Sequence, residues 1–236
     1  MSRQVIETLI SRQLHQYNRL RSFLKHDPDL PPAARGPVVT ISRMAGCCAR
    51  GLAAALAERL EVQVWGRELV DLIATDRGLR QELVTRLDQG HDSPADAWVK
   101  GVLSGRMFLR TDYVMAVAQT LRALADSGGA VVVGRGASFI LGERADLRLR
   151  LVAGEPYRMR TIEREYDVEG PEARRLLERL DREREEFIRS HFRRDVHDVR
   201  HYDLVVNVER VATELLVDAC VNLVRARQLQ ADAAEG

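Results

Sequence analysis

Lysine is almost missing from this 236-residue chain: only Lys25 and Lys100 occur among its 36 basic residues, so nearly all of the positive charge is guanidinium. Arginine meets oxyanions through a planar fork and stays charged when partly buried, a composition suited to phosphate handling. Cysteine is scarce as well. Cys47, Cys48 and Cys220 offer neither a disulfide framework nor a C-x-x-C metal spacing. No apolar run approaches the roughly 20 residues of a membrane-spanning helix. The opening MSRQVIETLISRQ has polar residues too often for a secretory leader. The expectation is a cytoplasmic protein with no membrane partner. Excess charge is lacking too. A net charge of +1 removes the broad electrostatic argument for a nucleic-acid partner, since duplex binders concentrate a strong basic excess on one face.

What is present is globular. Hydrophobic residues at 45% and charged residues at 30% suffice for a packed core, and the length suits one large domain with an extension. Over residues 2–26, Val5, Ile6, Leu9, Ile10, Leu14, Tyr17, Leu20 and Leu24 fall at helical spacing. The pattern predicts an amphipathic helix that packs on the core or on a second copy of the chain, a route to a homo-oligomer. Residues 27–37, DPDLPPAARGP, hold four prolines and read as a linker. The organisation is then a helix and linker over 1–36, an α/β domain over 37–228, and a tail over 229–236.

Within the domain, five short runs read as strands: Val38 to Ile41, Val62 to Trp65, Ala130 to Val133, Leu147 to Val152, and Leu204 to Val208. Helical patterns lie between and after them: Leu52 to Leu60, Glu68 to Leu87, Ala95 to Ala125, Pro156 to Arg194, and Val211 to Leu229. Strands alternating with helices imply an α/β fold with a doubly wound, mainly parallel five-stranded sheet, here carrying a helical insertion. Ligands of such sheets bind beyond the carboxyl ends of the strands, which directs attention to the residues that follow each run.

After the first run comes Ser42-Arg43-Met44-Ala45-Gly46-Cys47-Cys48-Ala49-Arg50-Gly51, followed by a helix. A strand, a loop of small residues and a helix N-terminus together make an anion site, because free amides and the helix dipole point at one spot. The Walker pattern G-x-x-x-x-G-K-[ST] is absent, and an ordinary strand-to-helix turn fits equally well. Cys47 and Cys48 stand where a thiolate would be stabilised, although small residues filling a loop account for them more simply. After the third run comes Gly134-Arg135-Gly136, a guanidinium between two residues that permit close approach to a ligand. Farther along, Leu177, Leu180, Phe187, Ile188 and His191 share one helical face with Arg184 near its centre. Asp181 lies one turn earlier, placed to steer that arginine. Arg182 is a weaker second candidate for a ligand-facing cation. His197 and His201, beside Asp198, have no further ligand at a clear spacing, so they read as a polar loop and no metal site is assigned.

Together, Val39-Thr40-Ile41-Ser42-Arg43, Leu56-Ala57-Glu58, Arg67-Glu68-Leu69-Val70, Val132-Val133-Gly134-Arg135-Gly136-Ala137 and Tyr202-Asp203-Leu204-Val205-Val206-Asn207 resemble the cytidylate kinase-like family, a divergent branch of the P-loop nucleoside monophosphate kinases. The resemblance implies a P-loop NTPase-type fold, with ATP and its Mg2+ on the loop of Ser42, Arg43, Gly46, Cys47, Cys48, Ala49, Arg50 and Gly51. It also implies a nucleoside monophosphate, such as CMP or dCMP, held by Arg67, Arg135, Asp181 and Arg184. Arg50, Arg135 and Arg184 would then supply the catalytic charge. Relatives usually carry G-S-G-G-R where this chain has Gly46-Cys47-Cys48-Ala49-Arg50, and Asp-Arg-Glu where it has Gly66-Arg67-Glu68. Losing two loop glycines and a carboxylate at one site favours a rival expectation, a catalytically silent nucleotide-binding or regulatory protein with the same fold.

Overall fold

The computed structural model describes residues 36–66, 111–126 and 129–235. The expected N-terminal helix and most of its linker (residues 1–35), Arg67, the expected helix over 68–87 and residues 95–110 of the expected helix over 95–125 lie outside the described residues.

Five strands form one parallel sheet: β1 (Val38–Arg43), β2 (Gln63–Trp65), β3 (Ala130–Val133), β4 (Leu147–Val152) and β5 (Leu204–Asn207), in the spatial order β2-β3-β1-β4-β5. The order turns about β1, so the crevice beyond the carboxyl ends of β1, β3 and β4 is where this fold admits a ligand. A sheet covered on both faces needs apolar side chains in both directions, and β1 and β3 show this. Val38, Ala130 and Val132 point to one layer with Trp65. Val39, Ile41, Val131 and Val133 point to the other with Leu147, Leu149 and Leu151.

The first layer is closed by α2 (Thr111–Asp126) and the short α3 (Ala137–Leu141), through Val117, Leu121, Leu124, Ile140 and Leu141. The second is closed by α1 (Ala49–Arg59) and α6 (Thr213–Glu235). Leu52, Ala53, Leu56 and Ala57 of α1 meet Leu216, Val217, Cys220, Val221 and Val224 of α6, both sets at helical spacing. The last helix continues to Glu235, beyond Leu229 where the apolar pattern of the sequence fades.

The single helical pattern over 156–194 is two helices, α4 (Glu155–Tyr166) and α5 (Gly170–Phe192). Asp167 at φ 56 ends the first, and Gly170 at φ 53 with Pro171 at the start of the second prevents one continuous rod. The two pack on each other and on the loop after β1 through Ala45, Ile162, Ala173 and Leu177. No helix among the described residues is long and apolar enough to cross a membrane.

One position in this frame is strained. Cys48 caps α1 at φ 45, ψ 36, a left-handed conformation that costs a residue with a Cβ about 1 kcal/mol. Its Sγ lies 3.7 Å from Thr161 Oγ1 and 3.8 Å from Arg164 Nη2, and its side chain also interacts with Tyr157. Replacing it with glycine, Cys48→Gly, should therefore raise stability by about 1 kcal/mol in a urea melt. An unchanged or lower midpoint would show that the sulfur contacts outweigh the backbone strain.

Candidate functional site

The loop from Met44 to Cys48 enters α1 pressed against α4 and α5. Gly46 sits at φ 77 with Arg158 of α4 so near that a Cβ would lie 2.5 Å from the Arg158 carbonyl oxygen, so only glycine fits. The Ala45 amide donates to Asp181 Oδ1 at 2.7 Å. The other oxygen of Asp181 accepts from Arg158 Nη1 in a short ion pair, and the same Nη1 reaches the Ala45 carbonyl at 3.5 Å. Arg158 is buried, so this pairing is what makes its charge tolerable there. Asp181 also lies 3.7 Å from Arg184 Nη1, which donates to the Leu180 carbonyl at 3.1 Å. The carboxylate expected to steer Arg184 thus makes its shorter contacts to the loop and to Arg158.

Cys47 is buried beneath this tie, and burial pushes its thiol up from the ordinary value near 9 to about 11. At neutral pH it is a small neutral core residue, not a thiolate. Ala49 is buried, whereas Arg50 and Gly51 are exposed on the first turn of α1.

Beside the loop, a cavity of about 310 Å³ opens at the carboxyl edge of β1 and β3. Among the described residues four arginines line it: Arg43, Arg135, Arg150 and Arg184. Arg43 ends β1. Arg135 follows β3 at φ 52, between Gly134 at φ 84 and Gly136 at φ 68. Three successive left-handed residues, one of them bearing a Cβ, are a costly way to build a turn, and such strain concentrates at functional positions. The turn sets the Arg135 guanidinium over the Phe187 ring at 5.5 Å, and a Cβ at Gly136 would run into the Phe192 ring. Arg184 comes from α5 with Leu180, Phe187 and Ile188, so the apolar stripe read in the sequence is one wall of the cavity. Arg182 is exposed and outside the lining.

Arg150 carries no signal in the residues that follow strands, because it lies inside β4 within the alternation L-R-L-R-L. The leucines face the core. Arg148 and Arg150 share the opposite face. Arg148 is matched by Asp203, at 2.7 Å from Nη2 and 3.2 Å from Nε. Arg150 is 5% exposed, donates from Nη1 to Ser42 Oγ at 2.8 Å, and lies 5.8 Å from the centre of the Tyr202 ring. Burial lowers its pKa. Two charges within a strand buried on both faces are the signal that would have found it.

Below the cavity, the Tyr202 hydroxyl donates to the Val196 carbonyl at 3.0 Å and lies 3.3 Å from Ser42 Oγ. His197 Nε2 is 3.0 Å from Glu185 Oε1, and His201 packs edge-on against Phe139. Among the described residues no group of three potential ligands surrounds a metal position.

Of the residues proposed from the sequence, the structure gathers Ser42, Arg43, Arg135 and Arg184 at one cavity, with Asp181 at its border and Gly46, Cys47, Cys48 and Ala49 in the adjacent loop. Arg50 and Gly51 stand apart from that lining.

If Asp181 ties the loop to both helices, Asp181→Asn should lower stability by about 2 kcal/mol in a urea melt, by leaving Arg158 without its counter-charge. The Ala45 amide should also exchange faster with solvent. Unchanged stability and exchange would reduce the tie to an incidental contact.

No curated protein matches the chain. Among solved structures, an uncharacterized protein from Eubacterium ventriosum aligns with a TM-score of 0.65 at 17% identity, over 81% of this chain and 99% of that one. That likeness is one of fold. A shikimate kinase from Bacteroides thetaiotaomicron aligns at 13% identity and TM-score 0.43, over 83% and 98% of the two chains. A gluconokinase from Sinorhizobium meliloti aligns at 14% and 0.45, over 85% and 99%. The family model described as the cytidylate kinase-like family matches residues 38–210, spanning all five strands and the whole cavity, and on this match the chain belongs to the cytidylate kinase-like family.

Proposed function

We propose that this chain transfers the terminal phosphoryl group of ATP to a nucleoside monophosphate, CMP or dCMP. The observation that carries the reading is the cavity itself: four guanidinium groups around about 310 Å³, at the strand ends of a kinase-like fold and beside the loop that follows β1. A cavity of that size with an aromatic wall accommodates a phosphate and part of a nucleoside. The aromatic surface comes from Phe139 and Phe187.

In this reading the acceptor phosphate sits among Arg135, Arg184 and Arg43, which hold one of its oxygens in line with the γ-phosphorus of ATP. The new P–O bond forms as the bridging oxygen leaves with ADP, and the chain contributes positioning and neutralisation of charge. The β- and γ-phosphates lie along Gly46 to Gly51, whose amides open at the start of α1. Arg50, exposed on that turn, is the cation available to them. Entering phosphates compete with Asp181 for the Ala45 amide. Magnesium fits the chain's own residues poorly. The position that would need a hydroxyl is Gly51, so charge neutralisation by this chain is a matter of arginine.

A second reading is favoured by one specific observation. Asp181 already occupies a loop amide, with Arg158 packed on Gly46. A chain so closed would bind the monophosphate and leave ATP unused, acting as a silent binding protein.

Coupled ADP release with CMP, dCMP, UMP and AMP, alongside a working control kinase, separates the two. Phosphoryl transfer predicts turnover with CMP or dCMP. No ADP with any acceptor, together with thermal stabilisation by CMP but not by ATP and magnesium, would establish the second reading instead. Arg135→Gly should weaken CMP binding at least ten-fold in either case, while changing stability by less than about 1 kcal/mol. Relief of the left-handed backbone offsets the lost ring contact. Undiminished CMP binding by this variant would remove Arg135 from the site.

A further inference from the structure

Among the described residues Arg150 is the arginine of β4 with no carboxylate at ion-pair distance, Asp181 and Glu185 acting on it only from farther off. Its neighbour on the same strand face, Arg148, pairs with Asp203. Arg150 is buried as deeply as any charged residue described, yet its hydrogen bond goes to a neutral hydroxyl, Ser42 Oγ, and its other contact is the Tyr202 ring. Among the described residues no carboxylate lies within ion-pair distance of it. Ser42 and Arg150 are register partners on adjacent parallel strands, so the pair is held by the sheet and not by a loop. Both line the cavity.

A buried cation with one neutral partner is costly to a fold, by more than the hydrogen bond returns. Natural chains keep such a group where a ligand supplies the missing charge. Here the fork of Arg150 faces the space that Arg43, Arg135 and Arg184 also border, and Ser42 fixes one of its arms.

We propose that Arg150, oriented by Ser42, is the anchoring cation on the floor of this cavity, and that it takes a phosphate oxyanion. The proposal rests on the reading of the cavity as the acceptor pocket and adds to it a binding residue inside a strand. The phosphate then contacts a rigid cation below as well as the arginines of the Gly134–Gly136 turn and α5 beside it. A rigid floor of this kind selects dianionic phosphate monoesters over uncharged nucleosides, because only they complete the charge.

The test is thermal melting of the full chain at fixed ionic strength, with inorganic phosphate replacing chloride, for the wild type, Arg150→Met and Arg150→Lys. Phosphate should raise the wild-type melting temperature with a saturating dose response. Arg150→Met should melt no lower than the wild type in chloride, since it removes an unmatched buried charge. Its half-saturating phosphate concentration should rise at least ten-fold. Arg150→Lys keeps the charge without the fork and should fall between them.

Three results would overturn the proposal. The first is a wild type indifferent to phosphate. The second is an Arg150→Met chain that responds to phosphate as the wild type does. The third is an Arg150→Met chain that melts well below the wild type or fails to fold, together with an Arg150→Lys chain that folds and responds like the wild type, which makes the residue a structural tie. The experiment uses neither ATP nor an acceptor nucleoside. A chain without kinase activity that passes it keeps the anion site and loses only the phosphoryl transfer.

Discussion

The carboxylate of Asp181 is the tie on which the arrangement of the site depends. It holds the Ala45 amide on one oxygen and Arg158 on the other, joining the loop after β1 to both α4 and α5. Remove that charge and Arg158 is a buried cation beside a glycine it already crowds, with the α4–α5 pair left to apolar packing around Ala45, Ile162, Ala173 and Leu177 and to the long contacts of Cys48 with Thr161 and Arg164. Because α5 also carries Arg184 and Phe187, the same tie sets one wall of the cavity at its distance from the Arg135 turn. The carboxylate holds a backbone amide in the loop that phosphate would otherwise approach. One side chain therefore contacts both the loop amide and the helix pair that forms a wall of the cavity.

Charge in the site is divided unequally. Arg158 and Arg148 have carboxylates and serve the fold. Arg150 has a hydroxyl and a ring, and faces the cavity. Within β4 the contrast is between neighbours on one face: Arg148 is matched by a carboxylate at the protein edge, whereas Arg150 borders the cavity with a hydroxyl as its hydrogen-bond partner. Guanidinium groups keep their charge against burial, and their planar fork can be held on one edge while presenting the other.

Most of the sheet was legible because the strands are short, mostly apolar and bounded by turn residues, and the fold demands burial on both faces of β1 and β3. Arg135 was legible because its two glycines announce a strained turn, and Arg184 because a charge interrupts an apolar helical stripe. The break between α4 and α5 was hidden by a periodicity that runs through Asp167 to Pro171 almost unchanged. Asp181 pointed to Arg184, a neighbour on its own helix. Its shorter contacts join residues 136 and 23 positions away, which no local pattern encodes. Arg150 was not legible because this cation sits within a strand and not among the residues that follow one.

The most direct measurement is an NMR titration that follows the Ala45 backbone amide and the side-chain N–H signals of Arg43, Arg135, Arg150 and Arg184, first with CMP and then with ATP and magnesium. The account predicts that CMP shifts the arginine signals and leaves the Ala45 amide bonded to Asp181, and that ATP with magnesium moves that amide. CMP that shifts the loop amides while the four arginines stay unmoved would contradict it.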